Sequence, residues 1–442
     1  MMGEASLDID KLTFGGAGLG HLDGRACFVP LTAPGDEARV RIVREKRSYV
    51  EAELLEILRP SPLRTSPPCP VFGSCGGCNW QHLDYPAQIA AKEAIFFELL
   101  WRGGRVAREL ILPAVEARTP YGYRSRVQLK LRLASGNLHM GFYRNGTHFV
   151  IAVPGTCAIA DPVINRLIGE LRIVLPEFRH ADKLSQIDIA VGEDGAAILI
   201  FHFIGEQPDE LHDFLLQRLS MLLSASGIFI QCGRKSAITR VAGIDSLFYT
   251  IPAEFLTGLP EMKLSFSRGG FSQVHYRQNL ALLSTVADWA APVDTDRLLD
   301  IYCGNGNFSL PLARYVARVV GIEEYEPSIE DARRNASANR IDNTTFRCQG
   351  ARAGIHELVA TGESFDLILL DPPRSGASDI IAQLPALSPR AIIYVSCDPA
   401  TLARDIGLLR AHGYAVTKSR PIDMFPQTYH IESVTLLEPY SG

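Results

Sequence analysis

The 442-residue chain lacks a basic-then-apolar leader at its start (MMGEASLDIDKL), lacks internal repeats and low-complexity tracts, and has no apolar run near the ~18 residues of a membrane span. Neither secretion nor membrane spanning is expected, and the cytoplasm is the expected compartment. A surplus of positive charge is also missing. Lys and Arg number 44 against 49 Asp and Glu, a balance of −5, so no global field announces a nucleic acid, although a local basic face remains open. Nine cysteines, an odd number scattered unevenly, do not form a disulfide framework. What is present is an ordinary globular composition, 47% hydrophobic and 21% charged, which excludes long disorder. At roughly 150 residues per domain, about three domains are expected.

Three cysteines crowd into Cys69-Pro-Val-Phe-Gly-Ser-Cys75-Gly-Gly-Cys78, where Gly73, Gly76 and Gly77 let the backbone aim three sulfurs at one point. Thiolate-rich, histidine-poor surroundings suit zinc or a [4Fe-4S] cluster, with Cys157 the best candidate for a fourth ligand.

Along the chain, residues 7–58 alternate short β-type runs with glycine turns and read as a small five-stranded barrel. The proline-rich stretch 58–68 reads as an extended connector. A helix opened by Pro86 should run to Trp101, with Gly103-Gly104 stopping it. Residues 123–153 alternate strongly around hairpin turns at Ser135-Gly136-Asn137 and Asn145-Gly146, a further hairpin turns at Asp194-Gly195, and an amphipathic helix covers about 209–223. Arg118, Arg124, Arg126, Lys130, Arg132 and Arg144 can line one face for RNA. From about Phe266, strands alternate with helices, the pattern of a doubly wound parallel sheet. The fold class is multidomain α/β: a barrel over 1–58, a cysteine loop and central α+β domain over 59–265, and a Rossmann-like domain over 266–442.

Leu298-Leu-Asp-Ile-Tyr-Cys-Gly-Asn-Gly-Asn-Phe308 delivers an apolar strand into a tight loop, and Glu323 ends the next strand, where a carboxylate can accept both hydroxyls of a ribose. The full dinucleotide glycine fingerprint is missing, which favours a nucleoside-containing cofactor without a pyrophosphate. Asp371-Pro-Pro-Arg374 and Ser396-Cys397-Asp-Pro399 each follow a strand and bring a carboxylate and a candidate nucleophile to one sheet edge. Glu432, in His430-Ile-Glu432-Ser, begins the last strand near that rim; alone it would read as a surface carboxylate.

Taken together, these motifs resemble the bacterial 23S ribosomal RNA (uracil-5-)-methyltransferases over essentially the whole chain. The resemblance implies a TRAM domain, an OB-like barrel that binds RNA, an S-adenosylmethionine domain, and a [4Fe-4S] cluster on Cys69, Cys75, Cys78 and Cys157. It further implies cofactor contacts at Gln273, Tyr302, Asn307, Glu323 and Asp371, and Phe271 stacking on the target base. Cys397 would be the nucleophile that adds to uracil C6, and Glu432 the base that removes the C5 proton. The chain departs from the family where His275 and Asp398 replace Asn, and where Gly350 falls at an adenosine-side Asn. The implied partner is 23S rRNA, and the enzyme is expected to act as a monomer. Transfer RNA methylation, a non-catalytic ribosome-assembly role and an iron–sulfur oxidoreductase are the competing readings; Cys397 and Glu432 argue against the second, and the incomplete glycine fingerprint against the third. The spacing of Cys69 and Cys75 is too wide for a radical S-adenosylmethionine triplet.

Overall fold

The computed structural model describes residues 3–205, 208–233, 238–256 and 260–440. Strands β1 (Glu4–Leu12), β2 (Gly18–Leu22), β3 (Arg25–Val29), β4 (Glu37–Glu45) and β5 (Tyr49–Arg59) close into a barrel in the order β1-β2-β3-β5-β4. Alternation puts Leu7, Ile9, Val29, Val40 and Val50 inside. The barrel closes tightly where β2 crosses β1, since a Cβ on Gly20 would lie 2.2 Å from the Asp8 carbonyl oxygen. Outward-facing Arg39, Arg41 and Arg44 pair across the strands with Glu56, Glu53 and Glu51. The proline-rich connector is tied down rather than free: Arg64 donates to both oxygens of buried Asp36 at 2.8 Å, and Asp36 also accepts from the backbone of Ala33 and Ser61.

Asp84 caps helix α1 (Tyr85–Leu99), accepting from Ala87 N at 2.7 Å. Gly103 and Gly104 do not simply stop this helix. It widens into one further turn over Leu100–Gly104, and those glycines let the turn touch the helix Pro399–Ala411; Cβ atoms there would meet Ala403 at 2.8 Å and Ile406 at 3.0 Å. Ile95, Phe96 and Leu100 are buried in a core shared with the C-terminal sheet.

The central sheet comprises β6 (Arg126–Ala134), β7 (Asn137–Tyr143), β8 (Val150–Ala152), β9 (Leu184–Val191), β10 (Ala197–Phe203), β11 (Gly227–Cys232) and β12 (Ile238–Gly243), ordered β12-β11-β10-β9-β6-β7-β8. Its apolar face packs on α2 (Pro162–Val174) and α3 (Asp209–Gln217) through Ile164, Leu167, Leu171, Leu211 and Leu215. Helix α3 is shorter than the expected 209–223 and gives way to a tight turn at Leu219–Met221. A separate ribbon, β13 (Ser246–Ile251) with β14 (Met262–Ser267), joins the core of the C-terminal domain instead.

That domain contains α4 (Tyr276–Ala290), β15 (Arg297–Ile301), α5 (Ser309–Ala313), β16 (Arg318–Glu323), α6 (Glu326–Ala338), β17 (Thr344–Cys348), α7 (Ala351–Ala360), β18 (Leu367–Leu370), β19 (Ala391–Ser396), α8 (Pro399–Ala411), β20 (Tyr414–Ile422) and β21 (Glu432–Pro439). The order is β17-β16-β15-β18-β19-β21-β20. The expected parallel sheet holds for the first five strands, whereas β21 runs antiparallel to both β19 and β20. This reversal brings the start of β21 to the carboxyl end of β19. Among the described residues no helix is long and apolar enough to cross a membrane.

Candidate active site at the sheet edge

Parallel strands deliver their carboxyl ends to one edge, and here that edge is rich in buried acid. Burial, then Asp300 and Glu323, push the Asp371 carboxyl up to about 7. Asp300, hydrogen-bonded by Ser309, is likewise pushed up to about 7, chiefly by burial. Such a cluster suits a cationic ligand, whose charge would favour the ionised carboxylates.

The loop after β15 carries Tyr302 at φ 69°, Gly304 at φ 54° and Gly306 at φ 88°. Left-handed backbone at Tyr302 is costly for a non-glycine residue and is held by Tyr302 N donating to Ile322 O at 2.8 Å. Tyr302 and Gly350 line a cavity of about 710 Å³ with Glu324, Arg352, His356 and Asp379. A Cβ on Gly350 would meet nothing within 4 Å, so its backbone borders open space. Glu323 is oriented by Tyr325 N, which donates to its carboxylate at 2.8 Å. The Asn307 amide exchanges hydrogen bonds with Asn279 at 2.9 and 3.0 Å and accepts from Tyr249, so its side chain is fixed by the protein itself. Gln273 is half-buried, two residues after Phe271.

Strands β19 and β21 pair Ser396 with Ser433, so the next residues outward on each strand are Cys397 and Glu432. Glu432, expected at the rim, is only 4% exposed. Burial, reinforced by Asp371, drives its carboxyl well above the usual range, with Arg374 opposing. The Cys397 thiol is pushed up to about 12, first by burial and then by Glu432, Asp371 and Asp398, while Arg374 lowers it. Asp398 serves as the cap of α8, accepting from Ala400 N and Thr401 N at 3.0 Å. Asn and Asp cap equally well, so the change from the family's Asn keeps that local geometry. His275 is buried, stacked on Tyr123 with ring centroids 4.7 Å apart.

A second cavity, of about 860 Å³, runs from this edge to the central domain. Phe271, 58% exposed, lines it together with Arg374, Phe425 and His430. So do all four expected cysteines, Cys69, Cys75, Cys78 and Cys157, and four of the six expected cations, Arg124, Arg126, Lys130 and Arg144, but not Arg118 or Arg132. Burial, with a smaller push from charge on the other thiols of the set, raises the Cys75 and Cys78 thiols to about 11 and about 12. Among the described residues no three Cys, His, Asp or Glu side chains are grouped as a site for a single metal ion.

The sequence motifs include Arg374 without assigning it a role, and none of them reaches the Asp423–Tyr429 loop. Arg374 was findable as the charged member of its motif. The loop has no local signal.

The chain matches the family profile of the tRNA (uracil-5-)-methyltransferases over residues 109–440 and that of the TRAM domain over residues 5–55. It belongs to the tRNA (uracil-5-)-methyltransferase family. Its relatives include a 23S rRNA (uracil(1939)-C(5))-methyltransferase RlmD of Alkalilimnicola ehrlichii, 36% identical with 97% of this chain and 95% of that protein covered. Another is the enzyme of the same name from Thiobacillus denitrificans, 36% identical with 98% and 99% covered. The crystal structure of Pyrococcus abyssi tRNA (uracil-54, C5)-methyltransferase in complex with S-adenosyl-L-homocysteine aligns with 99% of this chain and 100% of that one, at a TM-score of 0.74 and 24% identity; this likeness speaks to the fold. The resemblance read from the motifs is thus borne out at the level of family and enzyme class.

Proposed function

We propose that this uracil-5-methyltransferase transfers a methyl group from S-adenosylmethionine to C5 of a uridine in 23S rRNA through a covalent Cys397 adduct. The observation that carries the reading is the pairing of Ser396 with Ser433, which sets Cys397 and Glu432 facing each other over a buried, acid-rich sheet edge. The ribosomal substrate rests on the full-length relatives named for that activity. The chain acts in the cytoplasm as a monomer in this reading, with working divisions after residues 58 and 265.

Uracil C5 is a weak nucleophile. Addition of the Cys397 thiolate to C6 pushes the C5–C6 electron pair toward O4 as an enolate. When bound, S-adenosylmethionine supplies an electrophilic methyl group to the C5 that this addition has activated. Glu432 then takes the C5 proton, the C5–C6 double bond re-forms, and the Cys397 thiolate leaves. A carboxyl held above its usual range is a stronger base once ionised, and Arg374 offsets its charge in that state. Gln273, Tyr302, Asn307, Glu323 and Asp371 are assigned to the cofactor. The open backbone at Gly350 and the acid cluster fit an adenosine and a cationic sulfonium. Phe271 is assigned to stacking on the extruded base. Cys69, Cys75, Cys78 and Cys157 are assigned to a [4Fe-4S] cluster: they line one cavity and the other three act on the Cys78 thiol through their charge, and the cluster would cross-link the cysteine loop to the central sheet.

In assays with unmodified 23S rRNA, and with transfer RNA beside it, Cys397→Ala should be inactive yet still bind RNA and cofactor, forming no covalent complex. Glu432→Gln should transfer one labelled methyl group and stall as a denaturation-stable protein–RNA adduct. Normal turnover by Glu432→Gln, or an adduct that persists when Cys397 is also replaced, would overturn these roles.

A further inference from the structure

The long cavity has a one-sided chemistry. Its lining includes Arg124, Arg126, Lys130, Arg144 and Arg374 and not one Asp or Glu, although the chain as a whole carries a net charge of −5. Among the described residues none of these five cations is in an ion pair with a carboxylate. Part of this wall is Tyr143–His148, the end of β7 and the turn toward β8; Phe149 follows directly, next to the lining rather than in it. Residues 143–149, Tyr-Arg-Asn-Gly-Thr-His-Phe, are all exposed, and Phe149 is the most exposed phenylalanine described, at 66%. Lys130 Nζ lies 5.3 Å from the Tyr143 ring, and His148 meets the same ring edge-on at 5.3 Å.

The turn is braced from behind. Gly76 of the cysteine loop donates to Tyr143 O at 2.9 Å, and Cys75 forms an isolated bridge with Arg144. A Cβ on Gly76 would stand 3.0 Å from both Tyr143 O and Asn145 N, so any side chain there would press on the turn and push it outward by a few tenths of an ångström. Within the turn, Arg144 N donates to Phe149 O at 2.8 Å and the Thr147 hydroxyl accepts from Phe149 N at 3.2 Å, which fixes the backbone that carries the ring. An exposed phenylalanine on a braced turn, beside a carboxylate-free basic cavity, is the arrangement that binds single-stranded nucleic acid: cations follow the phosphates and a ring receives a base.

We propose that Phe149 is a second base-stacking site, separate from Phe271, which receives an unpaired nucleotide near the target uridine. The inference rests on the RNA methyltransferase reading above. Holding a neighbouring base here stabilises the opened loop from which the target is drawn, and the cysteine loop sets the position of the site.

The test uses the full-length protein and unmodified 23S rRNA from cells lacking the gene. Phe149→Ala should weaken RNA binding about five- to hundredfold, the effect of losing one base–aromatic stack, while S-adenosylmethionine affinity stays unchanged by calorimetry. Phe149→Trp should restore RNA affinity, and its added fluorescence should be quenched when RNA binds. Unchanged RNA affinity in Phe149→Ala, or an unquenched tryptophan, overturns the second stacking site while leaving the methyltransferase reading intact. A loss seen only with ribosomal particles and not with bare RNA would assign the turn to a protein partner and also overturn it. If the wild-type protein neither binds nor methylates the RNA, the functional reading itself fails.

Discussion

Arg374 stands beside both residues assigned to the chemistry, and its charge acts on each in the same direction. It lowers the Cys397 thiol against burial and three carboxylates, so removing it leaves less thiolate at any pH. Arg374→Gln should shift the pH profile of Cys397 alkylation to higher pH, followed by mass spectrometry of the peptide containing Cys397. A profile that does not move would mean that the guanidinium is too well solvated to matter. His275 offers a stability counterpart. Burial holds its pKa down to about 4, whereas the unfolded chain takes up a proton near 6.5, so its contribution to stability is lost as pH falls between those values. Asp300 and Asp371 act oppositely: their protons are retained up to about 7, so their contribution is present below about 4 and fades as pH rises through 7. His275→Asn should therefore lose less stability than the wild type between neutral pH and about pH 5, by about 2 kcal/mol in urea titrations.

At the scale of elements, one buried ion pair links the helix after the cysteine loop to the segment leading into β21. Lys92 Nζ on α1 donates to Asp423 Oδ1 at 2.6 Å and to Phe425 O at 3.0 Å, and Tyr85 donates to the other Asp423 oxygen at 2.8 Å. Both charged side chains are almost fully buried, so Lys92→Met leaves an uncompensated carboxylate and should cost about 3–5 kcal/mol in urea denaturation, with partial recovery when Asp423 is replaced by Asn. Nothing in the sequence around Asp423 advertises this contact, because its partner lies more than 300 residues away. Elements with strong local rules were legible: the barrel strands, the β6–β7 hairpin, and β15, β16, β18 and β19, whose apolar runs lead into the residues assigned to the site. Strand β17 was missed because its Thr-Thr-Phe-Arg-Cys run alternates weakly at a sheet edge, and β20 because Lys418, Arg420 and Pro421 disguise a strand that pairs with β21. Glu432 shows the same limit. Its motif was readable, but its burial follows from β21 running antiparallel between β19 and β20, which no local pattern encodes.

Across the whole molecule, the parts are joined by cores rather than by loose tethers. Leu12 and Ala33 of the barrel share a core with Trp80 and the C-terminal sheet, Trp80 donates to Gly16 O at 3.0 Å, and Phe14 packs edge-on against Tyr429. Removing residues 1–58 would therefore uncover buried apolar surface as well as delete the TRAM domain, and a weaker RNA complex after truncation would not isolate the barrel's role. Charge arrangement separates the surfaces better. On the barrel, Arg39, Arg41 and Arg44 are already matched by glutamates across the strands, whereas the cavity cations face no carboxylate in its lining. Phosphates that replace counterions should thus meet the cavity first. RNA affinity should fall steeply with salt, and Arg144→Gln should flatten the log–log salt dependence by about 0.7 to 1, the share of one phosphate contact. Arg41→Gln frees Glu53 rather than removing an unmatched charge, and should leave the slope nearly unchanged. Equal flattening by the two variants would show that the RNA path runs over the barrel as much as through the cavity.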